Sequence, residues 1–285
     1  MIKFLPLIFI LLWSSAFITT KPIIDYSNPF SALCFRFLIV AFGFFLFSFY
    51  KKQKILLKKK NFLPSLATGL LFHGFYLGGV FYSISIGLPA GIAALIVTLQ
   101  PVLTNALAGP ILNEKITWKK WLGVLLGFIG ASLVIGFDIG KTLPIAGVLA
   151  AFISLIAVTS ATLWQKKISN NLSLSVSNMY QAIGGFLFHL VVIIFFIQKP
   201  IINFSTTFII AMSHQIFLVS FGAFTILMFL LKNNSANKTV SVFFLIPPTT
   251  AIMAWIFLGE NLDTVDILGF LVATLGVYIA TREKN

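Results

Sequence analysis

Several groups of residues could do chemistry inside this otherwise apolar chain. His73 and Tyr76 share a face of a predicted helix with Gly69, Val80 and Ser83, at steps of four and three. The pair would offer a solute both hydrogen bonds and an aromatic surface; the alternative is a histidine satisfied by a neighbouring helix. Trp13, Ser14 and Phe17 could line the same space, Trp13 by stacking and Ser14 by hydrogen bonding. Trp also serves as an interfacial anchor, but Trp13 lies deep in its run for that role. Gln100, Pro101 and Thr104 cluster within a turn of Thr98 and Asn105. Pro101 removes the backbone bond to residue 97, which either frees a carbonyl for an ammonium or hydroxyl or marks a tolerated kink. Pro247, Pro248, Thr249 and Thr250 repeat the arrangement, and paired interruptions of this kind point to a site.

Other chemistries are not indicated. The sequence holds no HExxH, no pair of acids within a span and no Ser/His/Asp set, so an intramembrane enzyme lacks its parts. The single Cys34 has no CxxC or Cys/His context, so no metal, cofactor or redox role is expected. All seven acids fall at span ends or in loops, which leaves His73 as the candidate for protonation in a coupled carrier, or else downhill transport. A passive channel would show polar or charged rings rather than scattered stripes. Arg36 stands about a third of the way into its span, where its stem can snorkel; packing or anchoring is the expected role, with solute contact as the other. His189, His214 and Gln215 are read as structural or interfacial.

The elements that must position these groups are membrane helices. Of 285 residues, 59% are hydrophobic and 9% charged, with mean hydropathy +1.02, which excludes a soluble core inside a charged shell. A bilayer core about 30 Å thick needs roughly 20 apolar residues per helix. Ten spans are predicted, at about 4–20, 29–50, 64–86, 89–112, 119–137, 144–164, 175–197, 208–231, 238–258 and 264–281. The net charge of +13 sits in loop clusters rather than in a stripe, so nucleic acid is not an expected partner. Six lysines between 51 and 60 place that loop in the cytoplasm, and alternation puts sixteen of the twenty Lys and Arg there, with both termini. The opening MIKFLPLIFILLWSSAF resembles a signal peptide, but a retained first helix is expected because it has a counterpart later in the chain.

That counterpart comes from an internal repeat. An offset of 146 residues aligns Leu99 to Gly136 with Leu245 to Arg282 without a gap and gives ten identities, among them Pro101/Pro247, Glu114/Glu260 and Gly130/Gly276. Lys21 then matches Lys167. Five spans per repeat is an odd number, so the second copy enters the membrane from the opposite side. The expected fold is therefore an all-α membrane protein of ten transmembrane helices, in two inverted five-helix repeats of residues 1–140 and 141–285. Inverted repeats of this kind characterise secondary transporters, with the site at the repeat interface. Gly123, Gly127 and Gly130 in span 5, with Gly269 and Gly276 in span 10, suit close packing, either between those spans or at a dimer surface.

The chain resembles the ten-helix EamA-type branch of the drug/metabolite transporter superfamily over nearly its whole length. The resemblance rests on WSSAFITTK, NPFSALCFRF and the paired signatures LQPVLTNALAGPILNEKITWKKWLGVLLGFIGASLV and LIPPTTAIMAWIFLGENLDTVDILGFLVATLGVYIA. It implies a central cavity among spans 1, 3, 4, 6, 8 and 9. It also implies transport of small metabolites across the bacterial inner membrane, often the export of amino acids or related compounds, with import or exchange of a nucleoside, sugar or cofactor-like solute as the alternative. The partners implied are a small-molecule substrate and the lipid bilayer, with the protein a monomer or homodimer. In the sixth span SATLWQKK replaces SSAFITTK, so the aromatic is displaced to Trp164, which is kept as a cavity candidate. Glu114 and Glu260 are expected as symmetric helix-end or gating residues on opposite faces.

Overall fold

The computed structural model describes residues 4–88, 93, 96–97, 99–113, 117–135, 144–168, 173–234, 239, 242–258 and 264–281. Among these residues the chain forms ten helices, five of them long and apolar enough to cross a membrane, and the one β pairing is an isolated antiparallel bridge between Ser27 and Ile202. Helix α1 is Leu5–Asp25 and α2 is Pro29–Tyr50. Helix α3 runs through Lys59–Gly69, a π-helical stretch Leu70–Tyr76, and Leu77–Ser85. Helices α4 to α7 are Gln100–Leu112, Trp118–Ile135, Ile145–Ile168 and Leu174–Phe196. Helix α8 repeats the pattern of α3, with Thr206–His214, a π stretch Gln215–Ala223, and Phe224–Asn233. A 3₁₀ turn Val242–Leu245 leads into Ile246–Leu258 as α9, and α10 is Thr264–Thr281.

Local chemistry sets several boundaries. Asn28 starts α2 by accepting from the backbone N–H groups of Phe30 at 3.0 Å and Ser31 at 3.3 Å, with Pro29 at the first helical position, where no N–H is needed. Ser205 caps α8 by accepting from Phe208 N–H at 3.2 Å. Helix α4 ends where Asn113 turns left-handed at φ 55°. Helix α1 continues past the predicted residue 20 through Pro22, and Lys21 pairs with Asp25 one turn on, at the exposed end.

Lipid tails give no hydrophobic drive for helix association, so close packing and hydrogen bonds carry it. Helices α5 and α10 are in intimate contact. A Cβ on Gly130 would strike the backbone of Ala273 and Gly269, and one on Gly276 would strike the backbone of Gly127 and Gly123. The glycines of these two spans therefore serve an internal contact, which settles the choice left open between that and a dimer surface. Helix α7 packs on α2 and on α3, where Gly69 lies against the Gln181 backbone and Gly184 against the Leu66 carbonyl. The two halves exchange roles across the centre: α1 packs on α8 and α9, as α6 packs on α3 and α4.

The π stretches obey the same exchange. The 146-residue offset carries 70–76 onto 216–222, inside the second stretch. A π turn uses i→i+5 bonding, so it inserts an extra residue and re-aims the side chains that follow. The stripe predicted in α3 is accordingly split. His73, Tyr76 and Val80 point into the bundle, whereas Gly69 meets α7 and the Ser83 hydroxyl donates to the Val80 carbonyl at 2.8 Å.

Candidate functional site

A narrow cavity of about 40 Å³ lies between the repeats, above the roughly 10–15 Å³ that one water needs and below the roughly 300–1,000 Å³ usual for small-molecule sites. Trp13, Ala16, Phe17 and Thr20 of α1 form one wall. The α3 wall runs from Phe72 and His73 through Tyr76 and Val80 to Ile84. Helix α8 supplies Gln215, Val219, Ser220 and Phe224, and α2 supplies Arg36. The walls are mostly apolar and aromatic, so the few polar groups stand out as the ones able to orient a solute.

Arg36 is the strongest of these groups. It is 4% exposed and lies seven residues inside α2. Its Nε donates to Ser220 Oγ at 2.9 Å and one terminal nitrogen donates to Gln215 Oε1 at 2.7 Å, while the guanidinium carbon lies 5.4 Å from the Phe37 ring centre. Both acceptors are neutral. No carboxylate among the described residues pairs with Arg36, and two of its five N–H groups account for these bonds. The π stretch of α8 makes the arrangement possible, since Ser220 Oγ donates to the Gln215 carbonyl five residues back at 3.1 Å, bringing both acceptors to one face. Gln215 Nε2 in turn donates to the Ala16 carbonyl at 2.8 Å and to Thr19 Oγ1 at 2.9 Å. The network thus locks α1, α2 and α8 around one cation. His214 adds ring contacts to Ser15 Oγ at 3.0 Å and Thr19 Oγ1 at 3.3 Å.

His73 sits between the rings of Phe37 and Phe224, at centre distances of 4.4 and 4.5 Å, with Nδ1 buried and unbonded. His189 Nε2 donates to the His73 carbonyl at 3.0 Å, the structural role expected of it. Toward the side where α1 begins, aromatic rings close the cavity. Phe9 and Phe243 are 5.3 Å apart, Trp13 is 5.8 Å from Phe243 and 6.3 Å from Phe72, and Phe72 is 5.1 Å from Phe224. On the opposite side two loops are tied together, with Asn28 N–H donating to the Ile201 carbonyl at 2.9 Å and Asn203 N–H to the Tyr26 carbonyl at 2.8 Å.

The structure brings Trp13, Phe17, His73 and Tyr76 to this cavity. It seats other candidates elsewhere. Ser14 Oγ donates to the Ile246 carbonyl at 3.3 Å and joins α1 to α9; Gln100 Nε2 donates to Thr162 Oγ1 at 3.0 Å and joins α4 to α6. Pro101 and Pro248 are buried, and Thr249 bonds back to the Leu245 carbonyl at 2.6 Å. Trp164 is 49% exposed, because the displaced aromatic falls on the outer face of α6. Thr98, Glu114, Glu260 and the side chain of Pro247 lie outside the described residues. Among the described residues the walls are α1, α2, α3 and α8, that is spans 1, 3 and 8 of the expected set together with α2. Sequence reasoning missed Arg36, Gln215 and Ser220 as wall residues. The available signals were an arginine in a chain without intramembrane acids, and polar residues five apart rather than three or four.

The sequence profile of the EamA-like transporter family matches residues 2–136 and again 145–282. The chain is 25% identical to the uncharacterized transporter YvbV of Bacillus subtilis, covering 97% of this chain and 90% of that protein. It is 24% identical to a probable amino-acid metabolite efflux pump of Salmonella typhimurium, covering 97% and 93%. A solved crystal structure superposes with a TM-score of 0.83 over 98% of this chain and 96% of the other at 16% identity, which shows the shared fold.

Proposed function

The chain belongs to the EamA-like transporter family, and on that premise we propose that it is a secondary carrier that exports amino acids or related small metabolites by alternating access. The observation that carries the proposal is the cavity between the two inverted repeats, walled by α1, α2 and α3 of one and α8 of the other and blocked at one end by aromatic rings. Carriers with inverted repeats hold their site at such an interface. With both termini cytoplasmic, the aromatic block faces the cytoplasm and the cavity belongs to the outer half of a bacterial inner membrane. Trp13, Phe17, His73 and Tyr76 are assigned to the substrate cavity, and Pro101 with Pro247 to paired helix interruptions at the starts of α4 and α9. The units that exchange conformation are residues 1–140 and 141–285, within a monomer or a homodimer. The Salmonella relative named as an amino-acid metabolite efflux pump favours export of this class.

The test is flux of labelled amino acids in proteoliposomes. Trans-stimulation, meaning exchange faster than net efflux, is expected for a carrier. His73→Ala and Phe17→Ala are each expected to lower the rate at least tenfold, on the order of the loss of one positioned contact. Parent-like transport by both variants would place the substrate elsewhere.

A further inference from the structure

We infer that the solute carries a carboxylate that docks on Arg36, and that its amino group is not what the site selects. The inference rests on the carrier reading and extends it to the chemistry of the cargo. A guanidinium buried in a bilayer is costly unless paired, and the partners it has here, Gln215 and Ser220, are neutral oxygens that leave its charge uncompensated. Those two bonds also fix the plane of the fork, as a preorganised anion site requires. Arg36 opens onto the cavity rather than into helix packing alone. An anion arriving in the cavity would therefore meet an oriented, desolvated cation. An arriving ammonium finds no such counterpart, because no Asp or Glu among the described residues lines the cavity. Beyond Thr20 and His73 the remaining lining is apolar and aromatic, with Phe17, Phe72, Tyr76 and Val80 facing the same space. The fitting class is thus a monocarboxylate with an apolar or aromatic body, of which apolar amino acids are one member and their deaminated acids another.

Matched pairs test this on the purified full-length protein by thermal shift, with flux read in parallel. The probes are L-phenylalanine, 3-phenylpropionate, L-phenylalaninamide and phenethylamine, with leucine and leucinamide as a second set and sodium chloride as the inorganic control. The two carboxylates of the first set are expected to stabilise the protein and to compete in exchange within a fewfold of each other, whereas the amide and the amine do neither. Arg36→Gln is expected to weaken the carboxylate about ten- to hundredfold, the loss typical of a hydrogen bond to a charged group, and Arg36→Lys to restore part of it. Equal effects of the amide would overturn the inference, as would chloride matching 3-phenylpropionate or Arg36→Gln keeping the parent affinity. The pairs compared on the unsubstituted protein keep the test decisive if the variants fail to fold. Trans-stimulated flux of uncharged or cationic solutes without carboxylate competition would sink the carboxylate and leave the carrier. Carboxylate stabilisation without any trans-stimulated flux would do the reverse.

Discussion

At the scale of single residues, the centre of the molecule is organised by what Arg36 lacks as much as by what it touches. Gln215 is its best-placed acceptor and also holds α1 through Ala16 and Thr19. Gln215→Ala should therefore cost about 2–4 kcal/mol, since it removes a charge-assisted bond and three further bonds, to Ala16, Thr19 and Thr20, in a buried site. The check is the melting temperature in detergent, where a drop smaller than that of Asn28→Ala at the α2 cap would contradict it. Little of this was legible in the sequence. Arg36 reads as a snorkelling side chain because distance along a helix is all the sequence shows; its acceptors lie 179 and 184 residues away and share a face only through a π turn. His73 and Tyr76 could be grouped from the sequence because they lie three residues apart on one helix, although the π turn splits the rest of the stripe.

At the scale of elements, the ten spans follow from apolar run length, whereas the irregular turns within them do not. A π turn is a one-residue insertion, so removing one residue from 70–76 should restore ordinary α register and leave both flanks of α3 facing as before. Deleting a residue from Lys59–Gly69 instead rotates everything beyond it by roughly 100°. The first deletion is expected to give a monodisperse protein without transport, and the second to abolish folding; size-exclusion chromatography with flux separates the two. Glycine contacts give a second comparison. Gly130→Ala forces a methyl into the backbone of α10 and should cost about 1–3 kcal/mol, the range for overpacking. Gly222→Ala meets the flexible tip of Leu12 at 3.2 Å and the Phe217 carbonyl at an ordinary 3.7 Å, and should be close to neutral, as thermal unfolding would show.

At the scale of the whole molecule, the inverted architecture was readable from the 146-residue offset because Pro, Glu and Gly recur where shared apolar composition would not place them. Which spans wall the cavity was not readable, since the offset pairs residues by sequence but says nothing of how far each half has tilted. Here the two halves are unequal: the walls draw three helices from one repeat and one from the other. The orientation can be checked directly, since Cys34 is the single cysteine. In a Cys34→Ser background, Lys199→Cys should react with a membrane-impermeant maleimide in intact cells, and Lys54→Cys only after permeabilisation; the reversed pattern would invert the topology. The uncompensated charge on Arg36 has an electrical side as well. On the alternating access proposed above, the voltage drop would shift from one side of the guanidinium to the other as the cavity changes the face it opens to, so the empty protein would move charge through the field with Arg36 nearly still. That is worth about 2.3 kcal/mol per 100 mV for a full unit charge. A bound anion cancels it, so the membrane potential should bear on the return of the empty carrier and spare the loaded one.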